Sequence, residues 1–550
     1  MNFFKKIPKS LIIVLIGAII FIPYLGEAHL FDWDEINFAE ASREMLLTEN
    51  YRDVQINFKV FTEKPPMFFW MQALSMNYFG VNEFAARLPN ALIGIITLLV
   101  LFNIGKRLKD ERFGVIWVIV YISSFLPHVY FKTGLIDPLF NLFIFLSIYF
   151  VTLLTENDEF YYIKNKRLRR VKLLAFAAFF TGLAVLTKGP VGLLLHLLTY
   201  GLYIVLNRFK KINSMGDIVW FSLIFFLTTF SWYGIGFYEN GPGFIDEFLQ
   251  RNLDLLRTED AEHGGFFGYH FIVLLVGCFP ASILMFGGIK KHKFSTDLLQ
   301  NFQKWMIAML VVVLFVFTIV QTKIVHYSSL GYFPITFFAA YFVYYYLKGK
   351  SKWKWYHNTL LLFIGITIGV AITLIPLIGF NPEIIAGFVK DEFVSANLQA
   401  KVFWSNWESL YGLLFILALI VSANLFYTKN KKMGLVVLFL STTIVIESVY
   451  IFFVPRIEQY TQGAPIEFFK EKRNEDCYIE VLGYKSYAYI YYNEKEIEDC
   501  IYSKYELMKM KVGKPVYYVS KNNQKDYFMG MYSQLEVIYE KNGFVFYEKK

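Results

Sequence analysis

Long apolar segments separated by short polar ones make up most of the chain. Runs of roughly 17–25 apolar residues are long enough to cross a bilayer core of roughly 30 Å. About thirteen such runs lie near 11–29, 86–105, 113–131, 135–154, 173–187, 190–206, 218–237, 268–288, 305–322, 328–347, 358–379, 409–427 and 433–454, the fifth of them short. The pattern predicts an α-helical polytopic membrane protein with about 13 transmembrane helices.

The pattern changes after Pro455. Charged residues return, and four short runs alternate in the way typical of β-strands: CYIEVLGY, PVYYVSK, LEVIYEK and FVFYEKK. The stretch SYAYIYYNEK favours a helix between the first two. We therefore predict a membrane domain over 1–455 and a small α/β domain over 456–550. Cys477 and Cys500 fall in the second domain, and outside the reducing cell interior they could form a disulfide or remain free thiols.

Charge gives this arrangement an orientation. The 550 residues are 56% apolar and carry a formal net charge of +9. Lys and Arg concentrate in alternate connections, which predicts a cytoplasmic N-terminus and an extracytoplasmic C-terminal domain. The first extracytoplasmic loop then covers 30–85. The net charge mostly reflects this topology, and no basic stripe on a soluble domain indicates nucleic-acid binding.

Unusual polar residues lie at the membrane ends that this topology places outside. They are Asp32, Asp34, Glu35, Glu63 and Lys64 in the first loop, Lys132, Asp137 and Lys188 at later junctions, Glu262 and His263 in a further loop, and Lys323, His326 and Tyr327 between the ninth and tenth runs. Ionisable groups at such positions are costly and by default indicate a functional site. A single outward-facing polar cavity would explain all of them together.

The first-loop acids also have structural explanations. Asp32 and Glu35 have the spacing of a capping box for the helix that follows, which leaves Asp34 unexplained. Glu63 and Lys64 could form only a surface ion pair of small energetic value. Asp34 is therefore the acid that most needs a function.

The later residues have similar alternatives. Asp137 precedes Pro138 and could cap a helix. Lys323 could extend its stem along apolar surface and place its ammonium at the interface. His263 could be a solvated loop residue. The functional interpretation depends on the set as a whole and on no single member.

The set suits transfer from a lipid-linked donor. Lysines at the outer membrane edge can hold a phosphate that a lipid tail keeps there. An aspartate with a pKa near 3.9 is ionised at neutral pH and can take a proton from an attacking hydroxyl. The chain has neither of the glycine-rich nucleotide-binding patterns G-x-x-x-x-G-K-[ST] and G-x-G-x-x-G. A donor delivered by lateral diffusion needs no such motif.

Several motifs together resemble one family. DWDEINFAEASREML, FTEKPPMFFWMQALSMNYFGVNEFAARLPNAL, GLIDPLF, LTKGP, DAEHGG and KIVHY, in this order, resemble the polyprenyl-phosphate-sugar-dependent transferases of the GT-C superfamily. The lipid A aminoarabinose transferases are the nearer likeness, and the protein O-mannosyltransferases are more distant. The likeness covers about 1–455, and its specific part is the pair of motifs in the first loop.

The resemblance implies a fold and an activity. The fold is of GT-C type, with two membrane-parallel helices in the first loop and a large outward cavity. The activity is an inverting transfer from an undecaprenyl-phosphate-linked sugar to lipid A or a related glycolipid, in a bacterial inner membrane. Where the aminoarabinose enzymes tend to have Arg three residues after the first-loop aspartate, this chain has Asn37.

The resemblance also implies residue roles. Asp34 and Asp137 would be catalytic; Lys64, Lys188, Lys323 and Tyr327 would bind the donor phosphate; and Glu35, Glu63, His263 and His326 would line the substrate cavity. No cofactor is certain. A divalent metal held by Glu63 and His263 is conceivable, although two ligands are fewer than zinc usually has.

Three other functions fit parts of the sequence. One is protein O-mannosyltransferase-like transfer to Ser or Thr of exported proteins. Another is transport of a lipid-linked sugar, but a flippase should also carry polar residues at mid-membrane and at the inner face. A third is a membrane sensor, for which so many spans are excessive. The clustering at one face favours an enzyme.

Overall fold

The computed structural model describes residues 7–155, 165–210, 212–257, 264–289 and 296–550. Within these ranges, nine helices are long and apolar enough to cross a membrane, or up to eleven if each of two bent pairs counts as one span. Every predicted apolar run corresponds to one of these or to one of two shorter apolar helices, Lys9–Phe21 and Val191–Leu206. The fold class is confirmed, and the number of spans stays a prediction.

Helices dominate the chain up to the last apolar run. They are α1 (Lys9–Phe21), α2 (Asp34–Thr48), α3 (Met67–Phe79), α4 (Glu83–Leu108), α5 (Glu111–Ile122), α6 (Phe125–Val129), α7 (Asp137–Thr152), α8 (Lys166–Lys188), α9 (Val191–Leu206), α10 (Met215–Asn240), α11 (Pro242–Arg257), α12 (Tyr269–Gly277), α13 (Ala281–Gly288), α14 (Asp297–Ile319), α15 (Tyr332–Leu347), α16 (Trp355–Phe380), α17 (Glu383–Ala386), α18 (Glu392–Asn397), α19 (Ser409–Tyr427) and α20 (Lys431–Ser448). A 3₁₀-helix, Val325–Gly331, precedes α15.

Two of the predicted runs are bent. α5 and α6 meet at 89°, and α12 and α13 meet at 99°. Pro280 lies at the second break, where its ring and missing N–H interrupt helical hydrogen bonding. The hydropathy pattern shows where an apolar run begins and ends but not whether its helix bends, so these bends were not predicted.

α15 lies at the centre of the bundle. Its side chains from Tyr332 to Tyr346 are all buried, which explains why the run is apolar and aromatic on every side. Phe333 stacks on Phe145 of α7 with ring centroids 4.2 Å apart. α13 approaches so closely that a Cβ on Gly288 would lie 1.9 Å from the carbonyl oxygen of Phe338, so this position requires glycine.

The first loop contains α2, a short hairpin of β1 (Gln55–Ile56) and β2 (Lys59–Val60), and α3. Buried charges fix α2. Arg43 donates to both Glu40 carboxylate oxygens at 2.7 and 2.8 Å and to the Lys495 carbonyl at 2.8 Å.

The Glu44 carboxyl accepts the backbone N–H groups of Asn57 and Phe58 at 2.6 and 2.8 Å, which anchors the hairpin turn. Burial and the negative charge of Glu40 raise the pKa of Glu44 to about 9.

The C-terminal part contains the predicted sheet. The strands β3 (Tyr478–Leu482), β4 (Val516–Lys521), β5 (Leu535–Lys541) and β6 (Phe544–Lys549) lie in the order β3-β4-β6-β5. β3 and β4 are parallel, and the other pairs are antiparallel. All four strand predictions are confirmed. The predicted helix is shorter than its pattern and covers only Ala488–Tyr491.

The membrane part and the sheet share one long helix. α20 continues through α21 (Val454–Glu458) to α22 (Ala464–Glu471), with π-helical turns between them, so one helix extends over Lys431–Glu471. The predicted boundary at 455 falls inside this helix, and the division into 1–455 and 456–550 stays a prediction. Two further short helices, α24 (Lys504–Lys509) and α25 (Lys525–Met531), follow α23 (Ala488–Tyr491).

The C-terminal part is packed firmly against the first loop. Leu30 and Ile36 share a buried core with Ile466, Ile479 and Ile490. The Gln462 amide donates to the Leu30 carbonyl at 2.7 Å and accepts the Asp32 N–H at 3.0 Å. These contacts hold the beginning of the first loop against the long helix.

The two cysteines of this part are free thiols in the structure. Cys477 is buried in the shared core, and Cys500 packs against it. Burial raises the pKa of Cys477 to about 11 and that of Cys500 to about 12. Neither thiol therefore ionises near neutral pH.

Candidate functional site

A cavity of about 350 Å³, lined by both polar and apolar side chains, lies between the first loop and the bundle. Four separate parts of the chain form it: the start of α2 with the loop before α3, the segment leading into α7, the end of α8, and the 3₁₀-helix before α15. Its lining contains eight of the predicted site residues: Asp34, Glu35, Glu63, Lys64, Asp137, Lys188, His326 and Tyr327. The structure therefore brings together side chains that are up to about 290 residues apart.

Two aspartates face one histidine in this cavity. The Nε2 atom of His326 lies 3.3 Å from Oδ2 of Asp34 and 3.9 Å from Oδ2 of Asp137. The Asp34 side chain is 30% exposed and that of Asp137 only 4%. Both begin helices without capping them, because neither carboxylate accepts a hydrogen bond from its own helix N-terminus. Of these two aspartates, Asp34 is thus the more accessible, and it has His326 beside it.

Each cavity lysine has an acidic partner. The Lys188 ammonium lies 2.6 Å from Oδ1 of Asp137, and its distance from the centre of the Tyr327 ring is 5.1 Å. The Lys64 ammonium lies 2.8 Å from Oε1 of Glu63. Both lysines are mostly buried, so the Glu63–Lys64 pair is more than the solvated surface contact that the sequence left open.

Glu63 lies between two cations. Its Oε2 atom is 3.0 Å from the guanidinium of Arg251, a residue of α11. Burial alone would raise the pKa of Glu63, but Lys64 and Arg251 lower it to about 2. Glu63 is therefore ionised at neutral pH and holds Lys64 in place. Arg251 was not among the predicted site residues, although an arginine in a loop that is predicted to be extracytoplasmic and has few cations was a usable signal.

Glu35 holds two walls of the cavity together. Its carboxylate accepts the Phe31 N–H at 2.9 Å and the Gly134 N–H at 2.5 Å, and the Arg87 guanidinium donates to both of its oxygens at 2.8 and 3.1 Å. Burial opposes ionisation, yet Arg87 and the backbone donors lower the pKa of Glu35 overall. With its oxygens fully used, Glu35 positions the cavity and has no free lone pair directed at a substrate. The proposed capping box is wrong, because Asp32 accepts no bond from α2.

Lys323 and Lys132 lie outside the cavity. The Lys323 ammonium donates to the carbonyls of Phe317 and Thr318 at 3.0 and 2.8 Å, and also to that of Val320, so it caps the end of α14. The Lys132 ammonium is fully buried and bonds Glu447 at 2.8 Å and the Ile20 carbonyl at 2.9 Å. Neither has an ammonium turned towards the cavity that Lys64 and Lys188 share.

The remaining predictions concern a metal and the loop near His263. Glu262 and His263 lie outside the described residues. Among the described residues, no group of three His, Cys, Asp or Glu side chains could hold a metal ion. Glu63, the other predicted ligand, already faces Lys64 and Arg251. The described residues therefore contain no metal site of three such ligands, and the metal held by Glu63 and His263 stays a prediction.

Fold and cavity together define a multi-pass membrane protein with a polar site assembled from several connections. The family model of dolichyl-phosphate-mannose-protein mannosyltransferases matches residues 63–233. ArnT from Cupriavidus metallidurans, crystallised with undecaprenyl phosphate, superposes with a TM-score of 0.75 at 16% identity over 98% of this chain and 97% of that one. The chain therefore has the ArnT fold over nearly its whole length.

Curated relatives agree with this likeness. The undecaprenyl phosphate-α-4-amino-4-deoxy-L-arabinose arabinosyl transferase of Shewanella sediminis is 25% identical over 52% of this chain and 52% of its own length. The protein of the same name from Wigglesworthia glossinidia brevipalpis is 24% identical over 62% of this chain and 59% of its own. The chain thus spans about half the length of the curated relatives it matches. These findings confirm the resemblance to GT-C transferases of the aminoarabinose type.

Proposed function

We propose that the protein is an integral membrane glycosyltransferase that moves a sugar from an undecaprenyl-phosphate-linked donor to lipid A or a related extracytoplasmic glycolipid. One observation carries the proposal. Asp34 and Lys64 from the first loop, Lys188 from the end of α8 and His326 from the 3₁₀-helix before α15 line the same cavity, so three connections of the chain supply it. This combination places an accessible carboxylate beside two lysines, as transfer from a phosphate-linked sugar requires.

The lysines bind the donor. The donor phosphate lies against Lys188 and Lys64, which Asp137 and Glu63 hold in position, and Tyr327 packs beside Lys188. As the bond between the anomeric carbon and the phosphate oxygen breaks, the leaving phosphate gains negative charge, and the two ammonium groups stabilise it. Asp137 acts as a positioning residue for Lys188, because it is buried and already paired.

Asp34 prepares the acceptor. It orients the acceptor group and takes its proton where that group is a hydroxyl, with His326 stabilising the carboxylate at 3.3 Å. The acceptor oxygen then bonds to the anomeric carbon from the face opposite the phosphate, and undecaprenyl phosphate leaves with the electron pair. Attack from the opposite face inverts the anomeric configuration.

The relatives support the choice of donor. Both curated proteins are named for undecaprenyl phosphate-linked aminoarabinose, and the similar crystal structure contains undecaprenyl phosphate. We therefore assign aminoarabinose as the sugar to test first. We place the protein in the bacterial inner membrane, with the N-terminus in the cytoplasm and the C-terminal sheet in the periplasm, because of the loop charges.

The test is reconstitution of the full chain. Purified protein is supplied with undecaprenyl-phosphate-linked aminoarabinose and either lipid A or a Ser/Thr-rich peptide, and mass spectrometry follows the acceptor and the released undecaprenyl phosphate. We expect both products with lipid A, and smaller amounts of both with an Asp34→Ala variant, which lacks the carboxylate that orients the acceptor. Modification of the peptide but not of lipid A would show that the acceptor is a protein. Donor movement across liposomes without released undecaprenyl phosphate would identify a flippase instead.

A further inference from the structure

A second cleft opens next to the catalytic cavity. It has a volume of about 990 Å³ and lies between the first loop and the C-terminal sheet. Phe31, Asp32 and Trp33 line both hollows, so this short segment is their common wall. Asp34 follows it directly. A molecule bound in the cleft would therefore lie beside the residue that prepares the acceptor.

Three lysines from the C-terminal part face this cleft. Lys485 follows β3, Lys504 begins α24, and Lys521 ends β4. None of the three forms an ion pair within the described ranges of the chain, whereas both lysines of the catalytic cavity do. The acidic lining residues are Asp32 and Asp391, and the Asp391 carboxylate caps α18 by accepting the Val394 N–H at 3.0 Å. Lysines without carboxylate partners, gathered at one hollow, attract an anionic ligand.

Aromatic side chains stand beside these cations. The Lys521 ammonium lies 4.9 Å from the centre of the Phe393 ring and 5.9 Å from that of Tyr484. The Lys485 ammonium lies 6.0 Å from the Trp33 ring, at the common wall. Apolar side chains such as Ile466 and Phe469 also line the cleft, together with uncharged polar ones such as Gln462 and Gln524. The cleft thus combines positive charge with apolar surface, which suits an amphipathic molecule that carries phosphate.

On the basis of the proposed function, we propose that this cleft binds the acceptor through a phosphate group held by Lys485, Lys504 and Lys521. The C-terminal part is then the acceptor-binding part of the enzyme. A neutral Ser/Thr segment would leave the three lysines without partners, so the charge favours a phosphorylated glycolipid over a protein acceptor. The cleft's volume is at the upper end of the usual range for ligand sites, which suits a diglycosyl phosphate headgroup.

The experiment compares two acceptors that differ only in phosphate. Full-length wild-type protein, Lys485→Ala, Lys521→Ala and the double variant are assayed with saturating donor and either a phosphorylated glycolipid or the same lipid after phosphatase treatment. We expect each alanine to raise KM for the phosphorylated acceptor about tenfold, the effect of losing one charged contact. The KM for the dephosphorylated acceptor and for the donor should change less than about twofold.

Two controls exclude trivial explanations. Lys509→Ala removes an exposed lysine of α24 that does not line the cleft, and it should leave every parameter unchanged. Lys485→Arg and Lys521→Arg keep the charge and should recover most of the affinity. Equal losses with both acceptors, or a loss of donor affinity, would overturn the assignment of the cleft. So would a wild-type preference for the peptide or for the dephosphorylated lipid.

Failure of the proposed function gives a different result. A wild-type protein that releases no undecaprenyl phosphate with any acceptor contradicts the transferase itself. A wild-type protein that transfers normally, with lysine variants that do not distinguish the two acceptors, contradicts only the role of the cleft. Binding of each lipid without donor, measured by native mass spectrometry, separates acceptor affinity from turnover.

Discussion

The Lys188 ammonium lies 2.6 Å from Oδ1 of Asp137, so the end of α8 is paired with the start of α7 inside the cavity. The pair fixes the direction of the ammonium before any donor arrives. Because Asp137 is buried, its carboxylate cannot move away to solvent, and Lys188 has one defined position for a phosphate. The charge pattern placed both residues at the outer face but not in contact.

Replacing Lys188 should weaken donor binding selectively. Lys188→Ala removes a charge-assisted contact worth about 1.5–3 kcal/mol, so donor KM should rise roughly 10- to 100-fold with little change in acceptor KM. Lys188→Arg should retain part of the affinity. Initial rates over a donor titration measure this. An unchanged donor KM in Lys188→Ala would show that the phosphate binds elsewhere.

Lys323 should behave differently from Lys188. Its ammonium bonds carbonyl oxygens at the end of α14, so Lys323→Ala should lower the melting temperature and leave donor KM nearly unchanged. The expected loss of stability is about 1–3 kcal/mol for the carbonyls left without a donor. Thermal unfolding in detergent and a donor titration on the same preparation measure both effects. A large rise in donor KM without loss of stability would instead support the role in donor-phosphate binding that the sequence predicts for Lys323.

Substitution of Asp34 should depend on the acceptor. With a hydroxyl acceptor, Asp34→Asn should lower kcat about 10²–10⁴-fold, the usual contribution of general-base catalysis. With an acceptor phosphate, which is already ionised, the loss should be much smaller. The comparison uses one glycolipid with and without its phosphate. A loss of only a few-fold with the hydroxyl acceptor would rule out the base role.

Stability should fall as the pH rises above neutrality. The pKa of Glu44 is raised from its ordinary value of 4.5 to about 9 in the folded protein, so the folded state holds a proton that the unfolded chain has released. That stabilisation is complete below about pH 4.5, declines as the pH rises above this value, and is lost once the pH has passed about 9. Melting temperatures between pH 6 and 10 should therefore decline, and Glu44→Gln should flatten the decline. Parallel curves for the two proteins would contradict a protonated Glu44.

The sequence predicted most elements and much of the cavity. The membrane helices were predicted from the length of the apolar runs, and the four strands from the alternation of apolar and polar residues. Both patterns follow directly from burying apolar side chains, so they can be recognised in the sequence alone. Asp34, Lys64 and Lys188 were predicted as site residues because an ionisable group at the end of a membrane span is energetically costly and usually has a function.

Other features depend on contacts that no local pattern records. Glu35 is fully used by Arg87 and by the N–H of Gly134, about 100 residues away along the chain. The Lys323 ammonium donates to carbonyl oxygens only three to six residues away along the chain. It therefore points to the end of α14 and not into the cavity. Arg251 reaches Glu63 from α11, a helix outside the recognised motifs.

The length of the helix over Lys431–Glu471 bears on where the cleft lies. At 1.5 Å per residue it is about 60 Å long, so it reaches well beyond a bilayer core. Its far end carries Ile466 and Phe469, which line the lysine-bearing cleft, while its near end is embedded among the spans. In the predicted orientation, the length of this helix sets the distance between the cleft and the outer surface of the membrane. We therefore expect that a lipid acceptor whose acyl chains stay in the leaflet reaches Asp34 only if its reactive group extends over that distance.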